Sequence, residues 1–134
     1  MIQLIAGTKG TGKTKRMIDM INDAVNTTDG QIICVEKNMK LTYSISHAVR
    51  LIDVDTYGID SYQSFYGFFC GLLASNYDVT EIFVDGILKM GGGSADGLGA
   101  LIDRIAKITD DTVKVVITVS ANPEDLPEDV RKYF

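Results

Sequence analysis

The sequence predicts an α/β fold with a mostly parallel five-stranded sheet, on three observations. Five short apolar runs read as strands, at residues 2–6, 31–35, 49–54, 80–85 and 113–119. Segments with apolar residues at helical spacing alternate with several of them, and that alternation means parallel pairing through right-handed crossovers. Between the first strand and the first helix stands Gly7-Thr8-Lys9-Gly10-Thr11-Gly12-Lys13-Thr14, which fits the spacing G-x-x-x-x-G-K-[ST] at every fixed position.

Taken in order, the strand Ile2-Gln3-Leu4-Ile5-Ala6 leads into that glycine-rich stretch. Residues 13–25 then place Met17, Ile18, Met20, Ile21, Ala24 and Val25 at helical spacing, and Asn26-Thr27-Thr28-Asp29-Gly30 stops the helix. The second strand, 31–35, closes on Glu36-Lys37-Asn38. Residues 40–48 are ambiguous and are read as a short helix. The third strand closes on Asp53 and Asp55, and Asp60 or Ser61 can cap the helix at 62–75. Its aromatics, Tyr62, Phe65, Tyr66, Phe68 and Phe69, sit at the spacing of a face packed on the sheet, with a base-stacking platform as the alternative. The fourth strand ends in Asp85. Residues 86–93 read as a glycine-rich loop, Ser94 as the cap of a helix reaching about residue 108, and 120–134 as a short closing segment.

A length of 134 residues suits one domain with one core. With 46% apolar and 23% charged residues the composition is that of an ordinary globular chain. No run approaches the length of a membrane-spanning helix, and the first strand begins too early to leave room for a signal peptide. Cys34 and Cys70 each lie in an apolar stretch, which fits reduced, buried thiols better than a disulfide framework or zinc site. The expected location is cytoplasmic. A net charge of −5 argues against broad binding to nucleic acid or an anionic membrane. Through Ile52, however, seven Lys/Arg stand against four Asp/Glu, and the excess surrounds residues 7–14, which suits a phosphate ligand. For Lys15 and Arg16 plain solvated surface is the simpler reading.

The glycine spacing has a chemical reason. Glycines let the backbone turn tightly and point successive N–H groups inward as a nest for phosphate oxygens. Lys13 adds a point charge within reach of the β- and γ-phosphates, the Thr14 hydroxyl can coordinate Mg²⁺, and the helix beginning there offers its positive end to an anion. At these residues the chain resembles the P-loop NTPases. The resemblance implies a three-layer α/β/α arrangement of the P-loop NTPase type and binding of ATP or GTP with Mg²⁺, with Gly7, Thr8, Lys9, Gly10, Thr11, Gly12, Lys13 and Thr14 as nucleotide contacts.

Strand ends are where a parallel α/β sheet binds its ligand. The apolar strand closing on Asp85 resembles the Walker B form, in which the carboxylate holds the metal opposite Thr14. Many ATPases of the additional-strand class follow that aspartate with a catalytic glutamate, whereas here the position is Gly86. RecA-like members carry their glutamate near the end of the second strand, where Glu36 stands. Glu36 is therefore the candidate for orienting or deprotonating the attacking water, the alternative being a surface glutamate that merely ends a strand. Asp53 and Asp55 are weaker choices. Thr118, Ser120 or Asn122 resemble the polar sensor at a strand end in AAA+ and related ATPases, and equally fit a strand end followed by an Asn-Pro turn. Arg50 and Arg104 are available as charges, but no arginine finger is assignable. His47, the sole histidine, has no partner spaced for metal or triad chemistry. Asn122-Pro123-Glu124-Asp125 lacks the lysine of a guanine-reading motif, so a GTPase is disfavoured.

The expectation is thus an ATP·Mg²⁺-binding, RecA-like P-loop domain with weak or partner-stimulated ATPase activity, in which Lys13 and Glu36 carry catalysis. A non-hydrolysing, nucleotide-dependent switch whose moving part is the 86–93 loop is the second reading, and a small-molecule kinase the third. A protein partner or a second copy of the chain stays open.

Overall fold

The computed structural model describes residues 1–38 and 45–134. Among them five strands form: β1 (Ile2–Ala6), β2 (Gln31–Glu36), β3 (Val49–Asp53), β4 (Val79–Val84) and β5 (Lys114–Val119). All pair in parallel, in the order β1-β5-β4-β2-β3. The helices are α1 (Lys13–Thr27), α2 (Tyr62–Ser75), α3 (Ile87–Met90), α4 (Leu98–Thr109) and α5 (Glu128–Arg131), with 3-10 turns at Val54–Tyr57 and Pro123–Asp125.

The strand order decides the layers. From β1 to β2 the chain crosses the sheet in one direction; from β3 to β4 and from β4 to β5 it returns in the other. A right-handed crossover places its helix on a face set by the direction of travel, so α1 falls on one face and α2 and α4 on the opposite one. Side chains alternate along each strand, and the core divides accordingly. Ile32, Cys34, Phe83 and Val116 join Met17, Ile21 and Ala24 of α1, whereas Ile33, Val35, Ile82, Val84, Val115 and Ile117 join Phe65 and Phe69 of α2 and Ile102 and Ile105 of α4. Ile45, on the β2-to-β3 connection, packs with the α1 group, as its direction of crossing requires. The three-layer α/β/α sheet is therefore as expected, with every described strand parallel.

Helix α2 has the bounds read from sequence. Its start is a capping box on Ser61: Ser64 N–H donates to Ser61 Oγ at 3.0 Å, and Ser61 N–H donates to Ser64 Oγ at 3.1 Å. Its aromatics pack against the rest of the protein. Phe65 and Phe69 are wholly buried, the Tyr62 ring lies against the backbone of Gly91 while its hydroxyl donates to the Ser94 carbonyl, and the Arg104 guanidinium covers the Tyr66 ring at 3.6 Å.

Three local expectations change. Of the short helix at 40–48, residues 40–44 lie outside the described residues, and 45–48 form a bend and turn instead. The segment 86–93 is not all loop, since Ile87–Met90 closes a helical turn. Helix α4 begins at Leu98, not beside Ser94. Ser94 Oγ instead accepts from Asp96 N–H at 3.1 Å, and Gly97, at φ 85° and against the Tyr62 ring, is the actual cap. Packing on Tyr62 holds residues 91–97 off the helical path.

Candidate functional site

One wall of the site is the segment that leaves β1. Gly7 N–H donates to the Val119 carbonyl at 3.2 Å, which pins the loop to the end of β5. The Thr8 carbonyl accepts both the N–H of Thr11 (3.3 Å) and its hydroxyl (2.7 Å), so the loop turns back on itself. Gly12, at φ 84°, caps α1 without any side-chain hydrogen bond. The first N–H groups of a helix have no partner within it, and its positive end favours negative charge. Here the first turn contains no acidic residue but carries Lys13, Lys15 and Arg16. Lys15 Nζ pairs with Asp19 at 3.4 Å on the exposed surface. The start of α1 thus lacks a negative partner in its own first turn, an arrangement that favours an anion.

The opposite wall is assembled from three strand ends. Asp85 follows β4, and its N–H donates to the Val35 carbonyl of β2 at 2.9 Å. Thr118, wholly buried on β5, donates its hydroxyl proton to Asp85 Oδ1 at 2.6 Å. Thr118 Oγ1 in turn accepts from Gly86 N–H at 2.8 Å, which fixes the direction of the Thr118 hydroxyl and hence the orientation of the carboxylate. Gly86 is left-handed, at φ 78° and ψ 51°. A side chain there would cost about 1–2 kcal/mol, which gives a physical reason why no glutamate follows Asp85. Glu36 ends β2, is only 2% exposed and lies in register with Asp53 of β3. Two residues earlier on β2, burial pushes the Cys34 thiol well above its ordinary pKa, and the charges of Glu36 and Asp85 add to the effect.

Between the walls lies a cavity of about 370 Å³ at the carboxyl edge of the sheet. Lys9, Gly10, Lys13 and Thr14 line one side; Glu36, Lys37, Asp85, Gly86 and Lys89 line the other, with Ser120 beyond the end of β5. The chain folds so that most of the candidate residues meet here. Gly7, Thr8, Thr11 and Gly12 shape the loop without lining the cavity, and Thr118 stands behind it, engaged with Asp85 and Gly86. Asp53 accepts the N–H groups of Asn38 (3.2 Å) and Asp55 (3.0 Å), and Asp55 pairs with Lys37 at 3.7 Å. Both carboxylates therefore organise the turn after β3. Asn122, His47 and Arg50 are exposed and none of them lines the cavity.

Four lysines against two carboxylates make this cavity suited to a polyphosphate. Among the described residues no group of three or more His, Cys, Asp or Glu is placed to hold a metal. Mg²⁺ does not require one, because it keeps several waters and binds through one or two carboxylates plus phosphates. Also among the described residues, no helix is long and apolar enough to cross a membrane.

No family model matches the chain, and no curated protein matches it. Among solved structures, the fold is similar to that of the flagellar accessory protein FlaH from Methanocaldococcus jannaschii, with a TM-score of 0.62 and 16% identity. The match covers 98% of this chain and 65% of that one, so this chain spans just under two thirds of the FlaH structure. At that identity the likeness is one of fold.

Lys37 and Lys89 are cavity residues outside every motif read from the sequence. Lys37 had a faint signal, its place beside Glu36 at a strand end. Lys89 had another: Ile87 and Met90 are three apart, as the buried side of one helical turn would be, which aims the intervening Lys89 elsewhere.

Proposed function

We propose that this chain is a RecA-like P-loop domain of the additional-strand kind that binds ATP·Mg²⁺ between Lys13 and Asp85, with hydrolysis that is weak or stimulated by a partner. One observation carries the reading. The loop motif and the strand-end carboxylate, far apart in sequence, line one cavity at the carboxyl edge of the sheet, and an additional strand, β5, stands between the strands that bear them. The similarity to FlaH supports the fold that this requires.

In this mechanism the loop amides and Lys13 neutralise charge on the phosphates. Thr14 and Asp85 would hold Mg²⁺, which supplies further neutralisation of the phosphate oxygens. The residues fit that task, since Thr118 already orients the Asp85 carboxylate. Glu36, buried at the end of β2, aligns or deprotonates the attacking water.

Isothermal calorimetry tests the reading. The chain should bind ATP·Mg²⁺, and Lys13→Ala should weaken that binding about a hundredfold or more, the scale of a lost charge-assisted contact at a desolvated site. Unchanged affinity in Lys13→Ala removes the proposal. Turnover separates enzyme from switch: phosphate release that disappears in Glu36→Gln identifies an ATPase. Gly86 favours the switch reading, because its left-handed backbone leaves no carboxylate directly after Asp85. Tight binding without phosphate release would establish that reading.

A further inference from the structure

The wall facing the loop carries two lysines, and they are not equivalent. Lys37 Nζ lies 3.7 Å from the Asp55 carboxylate, so its charge already has a partner. Lys89 has no ion-pair partner among the described residues, is exposed, and lines the cavity beside Asp85.

Its backbone is held in place. Lys89 N–H donates to the Gly86 carbonyl at 3.0 Å, closing the turn of α3. Ile87 and Met90 on either side are wholly buried, so the turn cannot rotate Lys89 away without pulling two apolar side chains from the core. Gly86 N–H is bonded to Thr118 Oγ1, and Thr118 to Asp85 Oδ1. One hydroxyl thus links the carboxylate to the turn that presents the lysine.

We propose that Lys89 binds the terminal phosphate of the nucleotide and so sets the preference of this site for a triphosphate over a diphosphate. The inference rests on the nucleotide-binding reading above and adds a residue and a selectivity to it. The loop amides serve phosphates that both nucleotides possess, and Lys13, which reaches the β- and γ-phosphates, meets one of them in either nucleotide. A triphosphate carries additional negative charge, and Lys89 is the cation on the opposite wall whose charge is not already paired. A lysine on a flexible stem suits this role, since it meets phosphate as a point charge and needs no fixed bidentate geometry.

Calorimetric titration of the full chain with ATP·Mg²⁺ and with ADP·Mg²⁺ tests it, comparing the unaltered protein, Lys89→Gln and Lys13→Ala. Lys89 is exposed, so its substitution should leave the fold intact. Lys89→Gln should weaken ATP·Mg²⁺ binding about tenfold or more and ADP·Mg²⁺ binding by less than about threefold, the size of one lost charge-assisted contact to phosphate. Lys13→Ala should weaken both. If the unaltered chain binds both nucleotides and Lys89→Gln weakens them equally, or weakens neither, Lys89 has no such role while the nucleotide site stands. If the unaltered chain binds neither nucleotide, the site reading and this inference fall together.

Discussion

The two walls of the cavity are built on different plans. The wall from Gly7 to Thr14 is one continuous segment, shaped by hydrogen bonds among near neighbours such as Thr8 and Thr11. The facing wall joins the ends of β2, β4 and β5, and its shape depends on Thr118 reaching Asp85 and Gly86. A local loop keeps its form when distant contacts change. An assembled wall transmits a change in any of its parts to the others. On the proposed reading, net positive charge is concentrated in the first wall, whose cavity residues include Lys9 and Lys13 and no carboxylate, whereas the second wall would set geometry and selectivity.

The strongest challenge to that division is to loosen only the assembled wall. Met90 is wholly buried, so Met90→Ala should destabilise the fold by about 2–5 kcal/mol, read by chemical denaturation. Lys89 would lose its mooring with it. A variant that keeps full stability would show that α3 is not anchored as described. Next in size, Thr118→Val preserves shape but strips Gly86 N–H and Asp85 Oδ1 of a shared partner, at a cost of about 1–3 kcal/mol. Its binding of ATP should need more Mg²⁺, whereas binding that is metal-independent in both proteins would separate Asp85 from the metal.

Gly12→Ala and Gly86→Ala compare the walls directly. Both positions are left-handed. A Cβ at Gly12 would meet nothing within 4 Å, and one at Gly86 would come only to ordinary contact with Lys89, 3.6 Å away. Each substitution should cost about 1–2 kcal/mol of backbone strain. Equal stability losses with unequal ATP affinities would measure what each wall contributes to binding.

The smallest expected effect lies away from both walls. The Tyr133 hydroxyl and then Lys132 donate to Asp103 and hold its carboxyl below the ordinary range. A depressed carboxylate contributes stability above its unfolded pKa, near 4, and that contribution is lost as pH falls through the lower folded value. Amide protection in α5, taken relative to the intrinsic exchange rate at each pH, should therefore fall below about pH 4, and Asp103→Asn should remove most of that pH dependence. Acid loosening that began at the cavity instead would argue that the assembled wall is the weaker part.

How much was legible depended on how local the information was. Helix α2 was legible at about its observed bounds, because its cap is local: of Asp60 and Ser61, both readable as caps, Ser61 is the one used, with Ser64 one turn on. The start of α4 was misplaced by three residues, its cap being Gly97 and not Ser94. Ser94 resembles a cap, but the Tyr62 ring, from another helix, occupies the space beside Gly91 and Gly97. Thr118 was visible as a polar residue at a strand end. Its orientation toward Asp85, and not toward the cavity, follows only from the pairing of β4 with β5. Lys89 was concealed in what read as a slack glycine loop.

By itself the sequence determined the parallel α/β plan, the glycine-rich motif at residues 7–14 and the candidacy of Asp85 and Glu36. Strand periodicity and glycine spacing are properties of neighbours along the chain, where a short segment already contains its own physical cause. The tertiary structure decided which face each helix covers, that Glu36 and Asp85 share a cavity with Lys13, and that Gly86 turns Lys89 into it. Those outcomes depend on the order β1-β5-β4-β2-β3. That order arises from burying both faces of one sheet at once, and no stretch of residues contains it alone.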